Sequence, residues 1–187
     1  ILARKSYLYM IETVIESAHF MRYSEKQVKQ NITLENFGAV RRHLDAGCNV
    51  IFWVGHFANA EAHAMFALYF DVPSCCAFKP TKNPYIDCWL KKQRERFGAL
   101  MLPSKQVLSE LTRADAPVYR SGKPVIIEMR ADQRADPRRA FMLDFFGMEC
   151  AFFKGSELIA RRMKMPMFYM RSKRLARGSY TFELIEL

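Results

Sequence analysis

The residues with the clearest chemical potential are His56 and Glu61, at the end of the run Val50-Ile-Phe-Trp-Val-Gly-His-Phe-Ala-Asn-Ala-Glu61. An apolar stretch leads into Gly55-His56, and a carboxylate follows five residues on. An imidazole that takes a hydroxyl proton on one ring nitrogen is a general base. A carboxylate on the other nitrogen fixes its tautomer and stabilises the imidazolium that forms. On a continuous helix, residues five apart lie roughly 140° apart around the axis and would not meet. The spacing therefore predicts His56 in a loop and Glu61 in the first turn of a helix, folding back to the ring. A structural histidine, satisfied by its packing, is the alternative reading. His19, His43 and His63 have no acid at this spacing and are assigned to surface or packing. No Ser or Cys stands in a GxSxG elbow, which favours direct attack by an activated acceptor over a covalent enzyme intermediate.

The elements that must position these residues follow from pattern. Asn49 to Val54 is a continuous apolar run, the mark of a strand covered on both faces. Ala60 to Phe70 reads as the helix after it. Further strands are predicted at Ile32–Glu35, Ser74–Phe78, Ala99–Leu102 and Pro124–Met129. Met165–Arg171 and Tyr180–Leu187 read as a hairpin around Arg177-Gly178. Helices are predicted from Ile1 to Arg22, from an Asn36 cap to Ala46, and from Asn83-Pro84 to Phe97. Two more run from a Ser104 cap to Ala114 and from Ser156 to Met163. Strands alternating with helices predict an α/β fold, a mostly parallel central sheet flanked by helices. In such sheets ligands bind beyond the carboxyl ends of the strands, where His56 falls. Asp132-Gln133, after the strand ending at Met129, takes a second position of that kind.

The chain has 187 residues, half of them apolar and 13% aromatic, which excludes disorder and allows one domain spanning residues 1–187. It begins inside a predicted helix and ends inside a predicted strand, so it reads as part of a longer chain whose preceding segment could hold a membrane anchor. The longest apolar stretch, Val50 to Phe70, is interrupted by Gly55, His56, Asn59, Glu61 and His63 and does not read as a membrane span. Lys and Arg exceed Asp and Glu by 29 to 19, a formal charge of +10. That excess implies anionic partners: nucleic acid, phospholipid head groups or phosphorylated substrates. The sequence carries no RNP, KH or helix-turn-helix signature, so nucleic acid is not expected as a partner. A basic membrane- or nucleic-acid-binding module is the alternative to an enzyme. The five cysteines show no CxxC spacing, so they read as reduced, mostly buried thiols, and no metal site is expected. Lys79, Lys82, Lys91, Lys92, Arg94 and Arg96 cluster after the third predicted strand, and Arg is the better phosphate ligand through its planar fork. Phe141, Phe145, Phe146, Phe152 and Phe153 form an aromatic stretch read mostly as core, with an acyl chain as a second use.

These segments together resemble a known family. His56-Phe-Ala-Asn-Ala-Glu61 resembles the HxxxxE motif of the bacterial lipid A biosynthesis acyltransferases, the lauroyl- and myristoyl-transferases of the lysophospholipid acyltransferase superfamily. Phe78-Lys-Pro-Thr-Lys-Asn-Pro84 resembles the family's Y-R-x-x-x-N-P segment, and Arg94-Glu-Arg-Phe-Gly98 its R-x-R-x-G segment. Ala131-Asp-Gln133 matches its D-Q segment, Phe145-Phe-Gly147 its F-F-G, and Gly155 to Met167 the helix and strand that follow. The resemblance covers about Ile32 to Leu187 in order. The chain departs from it at Ala58-Asn59-Ala60, where the family often has Gly-Asn-Trp, at Lys79, where Arg is usual, and at Lys154, where Thr is common.

The resemblance implies transfer of an acyl chain from acyl carrier protein or coenzyme A to a hydroxyl of a lipid A precursor or a related glycolipid. Amino lipids and pigments are alternative acceptors. The thioester is then a co-substrate, and no cofactor is implied. His56 would be the base and Glu61 its orienting partner. Arg94 or Arg96 would hold the glycolipid's phosphate or the donor's phosphopantetheine, and Lys79, Asn83, Asn59 and Asp132 would also serve substrate binding. The expected partners are the thioester donor, an anionic glycolipid and a membrane surface, at the cytoplasmic face of a bacterial inner membrane.

Overall fold

The computed structural model describes residues 2–132 and 135–187; Gln133 lies outside the described residues. Helix α1 (Leu2–Phe20) and the short α2 (Glu25–Asn31) precede β1 (Ile32–Glu35), α3 (Phe37–Asp45) and β2 (Val50–Val54). A 3₁₀ segment, Ala60–Leu68, leads to β3 (Ser74–Phe78), α4 (Pro84–Glu95), β4 (Ala99–Pro103) and α5 (Val107–Thr112). Then follow β5 (Ile126–Arg130), β6 (Ala140–Phe145), β7 (Met148–Phe153), α6 (Gly155–Met163), β8 (Met167–Ala176) and β9 (Ser179–Glu186).

The main sheet of the described residues has the order β1-β9-β8-β2-β5-β3-β4. Every neighbouring pair is parallel except the β8–β9 hairpin. The fold is therefore the α/β class with a mostly parallel sheet. β2 shows why the pattern was legible. Val50, Phe52 and Val54 face one core, packed with Phe20 of α1, Val40 and Leu44 of α3 and the 3₁₀ residues Met65 and Phe66. Ile51 faces the other, packed with Val107 and Leu111 of α5 and Ile159 of α6. A strand covered on both sides needs apolar side chains at every position, not at alternate ones.

Local signals set several boundaries. Ser24 and Gln27 close a reciprocal capping box at the start of α2. Asn83 caps α4, its side chain accepting from the Tyr85 and Ile86 backbone N–H groups.

Four expectations need correction. Ala60–Leu68 is 3₁₀, not α-helical. Helix α5 starts three residues after Ser104, whose hydroxyl instead donates to the Phe78 carbonyl. Cys48 and Cys88 are exposed and Cys150 is half-buried, which leaves Cys75 and Cys76 as the buried thiols. The aromatic stretch is not core. It forms a separate two-stranded hairpin, β6–β7, with Phe141, Phe145, Phe146 and Phe153 exposed. Its aromatic content suggested core packing, but the hairpin stands apart from both layers of the main sheet.

Candidate active site

His56 and Asp132 meet because β2 and β5 are hydrogen-bonded neighbours in parallel register. Val54 pairs with Arg130, and each strand ends there. Two residues further along each chain stand His56 and Asp132, side by side at the carboxyl edge of the sheet. The His56 Nδ1 lies 2.6 Å from Asp132 Oδ1, and the His56 backbone N–H donates to Asp132 Oδ2 at 2.6 Å. Both side chains remain partly open to solvent. Burial pulls the Asp132 carboxyl upward, but the two bonds from His56 outweigh it and hold the group below the usual carboxylate range. An ionised carboxylate only accepts, so Nδ1 carries the proton toward it and Nε2 is the basic nitrogen.

Gly55 makes this approach possible. A Cβ at that position would lie 3.2 Å from Asp132 Oδ2. The next turn is bought with backbone strain: buried Ala58 adopts φ 68°, a left-handed conformation that glycine takes far more readily.

Glu61 does not supply the orienting carboxylate expected of it. Its two oxygens accept from Arg94, Nε to Oε2 at 2.9 Å and Nη2 to Oε1 at 2.6 Å. This bidentate pair is well shielded from solvent, and the bond to Glu61 raises the Arg94 guanidinium pKa further. The physical reason is direction. The Asn59 side chain caps the 3₁₀ segment by accepting from the Glu61 backbone N–H, and in that segment Glu61 is directed at α4, where Arg94 lies.

The other expected binding residues are placed as follows. Arg96 donates Nη1 to the Met21 carbonyl at 2.5 Å and Nη2 to the Phe20 carbonyl, so it closes the end of α1. Asn59 is buried, accepts from Ser17 Oγ and donates to the Thr13 carbonyl, which joins the site loop to α1. Asn83 is the α4 cap. Lys79 is exposed, one residue beyond β3. The site thus brings together His56 and Asp132 as one pair and Glu61 and Arg94 as another, while Asn59, Asn83 and Arg96 spend their polar groups on the fold.

A feature that the spacing did not signal lies beneath this edge. Glu128 of β5 is fully buried, on the same side of the sheet as Ile126, and neither carboxylate oxygen has a hydrogen-bond partner among the described residues. Burial pushes its pKa up to about 8, against the downward pull of the Arg130 charge and the neighbouring Cys76 thiol. His63 is also fully buried, its ring against Phe66 and Phe182, and burial holds it well below the ordinary histidine range. It is the packing histidine that the sequence suggested. An acid in the strand Ile126–Arg130 was visible, but its inward direction depends on the strand's phase.

The chain matches the family model described as "Bacterial lipid A biosynthesis acyltransferase" over residues 1–185. The chain belongs to that family. A search of the curated proteins returned no match.

Proposed function

We propose that the protein is an O-acyltransferase that moves a fatty acyl chain from acyl carrier protein or coenzyme A to a hydroxyl of a lipid A precursor or related glycolipid. The observation that carries this reading is the His56 ring held on Asp132 at 2.6 Å. The acceptor hydroxyl hydrogen-bonds to Nε2. As its oxygen attacks the thioester carbonyl, its proton passes to Nε2, and the imidazolium is stabilised by the Asp132 carboxylate. Collapse of the tetrahedral intermediate breaks the C–S bond, and the leaving thiolate takes the proton back from the imidazolium. No acyl-enzyme forms. Positioned base catalysis of this kind contributes roughly 10²- to 10⁴-fold.

Glu61 and Arg94 act as a fixed ion pair that braces α4 against the 3₁₀ segment. With two donors of Arg94 spent on Glu61, phosphate binding falls more to exposed cations such as Lys79. The membrane surface is the place of reaction, at the cytoplasmic face of an inner membrane. Support comes from the +10 charge and from α1, whose outer side exposes Tyr7, Met10, Ile11 and Val14. No helix of the described residues is long and apolar enough to cross a membrane.

The test is transfer of a radiolabelled acyl group from acyl carrier protein to a lipid extract, with wild type and His56→Ala compared. Labelled lipid should form with wild type and fall by about 10²-fold or more with the variant. Full activity in His56→Ala, or an isolable acyl-enzyme, would overturn the mechanism.

A further inference from the structure

The β6–β7 hairpin is an exposed apolar feature that the reaction does not use. Its register pairs Phe141 with Phe152, Leu143 with Cys150 and Phe145 with Met148. Opposed residues of an antiparallel ribbon share a face, and successive residues alternate. One face is therefore six apolar side chains, while the other carries the only charged pair, Asp144 opposite Glu149 near the turn, with Met142–Ala151 and Ala140–Phe153 toward the base. Neither strand joins the main sheet, and Phe141, Leu143, Phe145 and Met148 are all exposed. An antiparallel ribbon with one apolar face normally packs that face on a core. Here nothing in the described fold covers it.

The turn makes the same point independently. Phe146 and Gly147 have φ 55° and 74°, the paired positive values that a two-residue type I′ hairpin loop requires. Asn or Asp would occupy the first position at little cost, whereas an aromatic residue there is strained. The turn leaves the Phe146 ring, 89% exposed, at the tip of the hairpin. Cations flank the base. Arg138 precedes β6, and Lys154 follows β7 with its ammonium 5.9 Å from the Phe141 ring centre. The Ala135 backbone N–H donates to the Ala151 carbonyl at 3.3 Å, which ties β7 to the chain three residues beyond Asp132.

We propose that this hairpin lies flat in the interface of an anionic lipid bilayer. Its apolar face meets the acyl chains, the Asp144–Glu149 face meets water, and Arg138 and Lys154 meet lipid phosphates. The two carboxylates near the tip exclude upright insertion, because burying them in hydrocarbon is costly. The inference rests on the acyltransferase reading and adds to it a docking element: the hairpin sets the His56–Asp132 pair at the depth where a lipid-borne hydroxyl emerges.

The experiment uses the full-length protein with vesicles of phosphatidylethanolamine and phosphatidylglycerol that contain brominated acyl chains. Phe146→Trp fluorescence should be quenched on these vesicles, and Glu149→Trp fluorescence should not, after subtraction of the signal from Trp53 and Trp89. The double variant Phe145→Ser, Phe146→Ser should lose roughly tenfold or more in transfer to a vesicle-embedded acceptor. Its rate on detergent-dispersed substrate and its unfolding midpoint should stay unchanged. Absence of quenching at position 146 would overturn the proposal. So would an equal loss in vesicles and detergent, which would mean that the face grips the substrate's own acyl chain. If wild type transfers nothing even in detergent, the acyltransferase reading fails, while the quenching result still decides the hairpin.

Discussion

Glu128 allows a stability effect to be worked from one buried group. Its carboxyl ionises near 4.5 in an ordinary setting and near 8 in the fold. The fold therefore favours the neutral acid. The stability it contributes is fully present below about pH 4.5 and is lost as pH rises toward about 8, because the unfolded chain releases its proton first. At about 1.4 kcal/mol for each pH unit, the whole interval corresponds to about 5 kcal/mol. His63 titrates in the opposite sense. Burial lowers its pKa, so its contribution is present above the ordinary histidine range and lost on acidification. Comparison of wild type with Glu128→Gln cancels the histidine and leaves the carboxyl. The amide keeps the shape and cannot ionise. Urea unfolding of both proteins, at several pH values between about 6 and about 8, should show wild type losing about 2 kcal/mol relative to the variant across that range. A difference between the two proteins that does not change with pH would refute the reasoning, since Glu128 would then not be a buried neutral acid.

Three further outcomes separate the roles of the site residues. Asp132→Asn should lower kcat by about 10³-fold or more, through loss of the tautomer and of imidazolium stabilisation, with an unchanged unfolding midpoint. Equal activity in steady-state kinetics would dismiss Asp132 as the orienting group. Glu61→Ala leaves the partly buried Arg94 without its partner, so it should cost about 1–3 kcal/mol in denaturant unfolding, and activity should fall with it. A large activity loss at unchanged stability would instead place Glu61 in the chemistry. Gly55→Ala sets a methyl group 3.2 Å from Asp132 Oδ2 and should displace that carboxylate. The expected result is a kcat lower by roughly tenfold with an intact fold, and wild-type kinetics would show that the close approach is unnecessary.

Much of the fold could be read along the chain because its signals are local. The continuous apolar run Val50–Val54 marks a doubly covered strand, Asn83-Pro84 starts α4, and Gly55-His56 follows a strand end. His56 and Asp132 were each legible as residues beyond the ends of strands. That they form one pair was not, because the contact spans 76 residues and depends on β2 and β5 being neighbours in matched register. Spacing suggested Glu61 for the ring because it is close in sequence. The 3₁₀ segment directs its carboxylate to Arg94 on another helix, and Asp132 takes the ring instead. Aromatic content likewise suggested core for the stretch around Phe145, but composition carries no information on what covers it. Sequence by itself determined the strands of the main sheet, the Asn83 cap of α4 and the residue types at the carboxyl edge, since these follow from side-chain pattern and backbone preference, whereas the expected caps Asn36 and Ser104 make no side-chain cap bond. Only the tertiary structure decided which carboxylate holds the histidine, that Glu128 points into the core, and that the hairpin's apolar face is left open by the described residues. Each of those depends on which strands lie side by side, and strand order is set by the packing of the whole sheet.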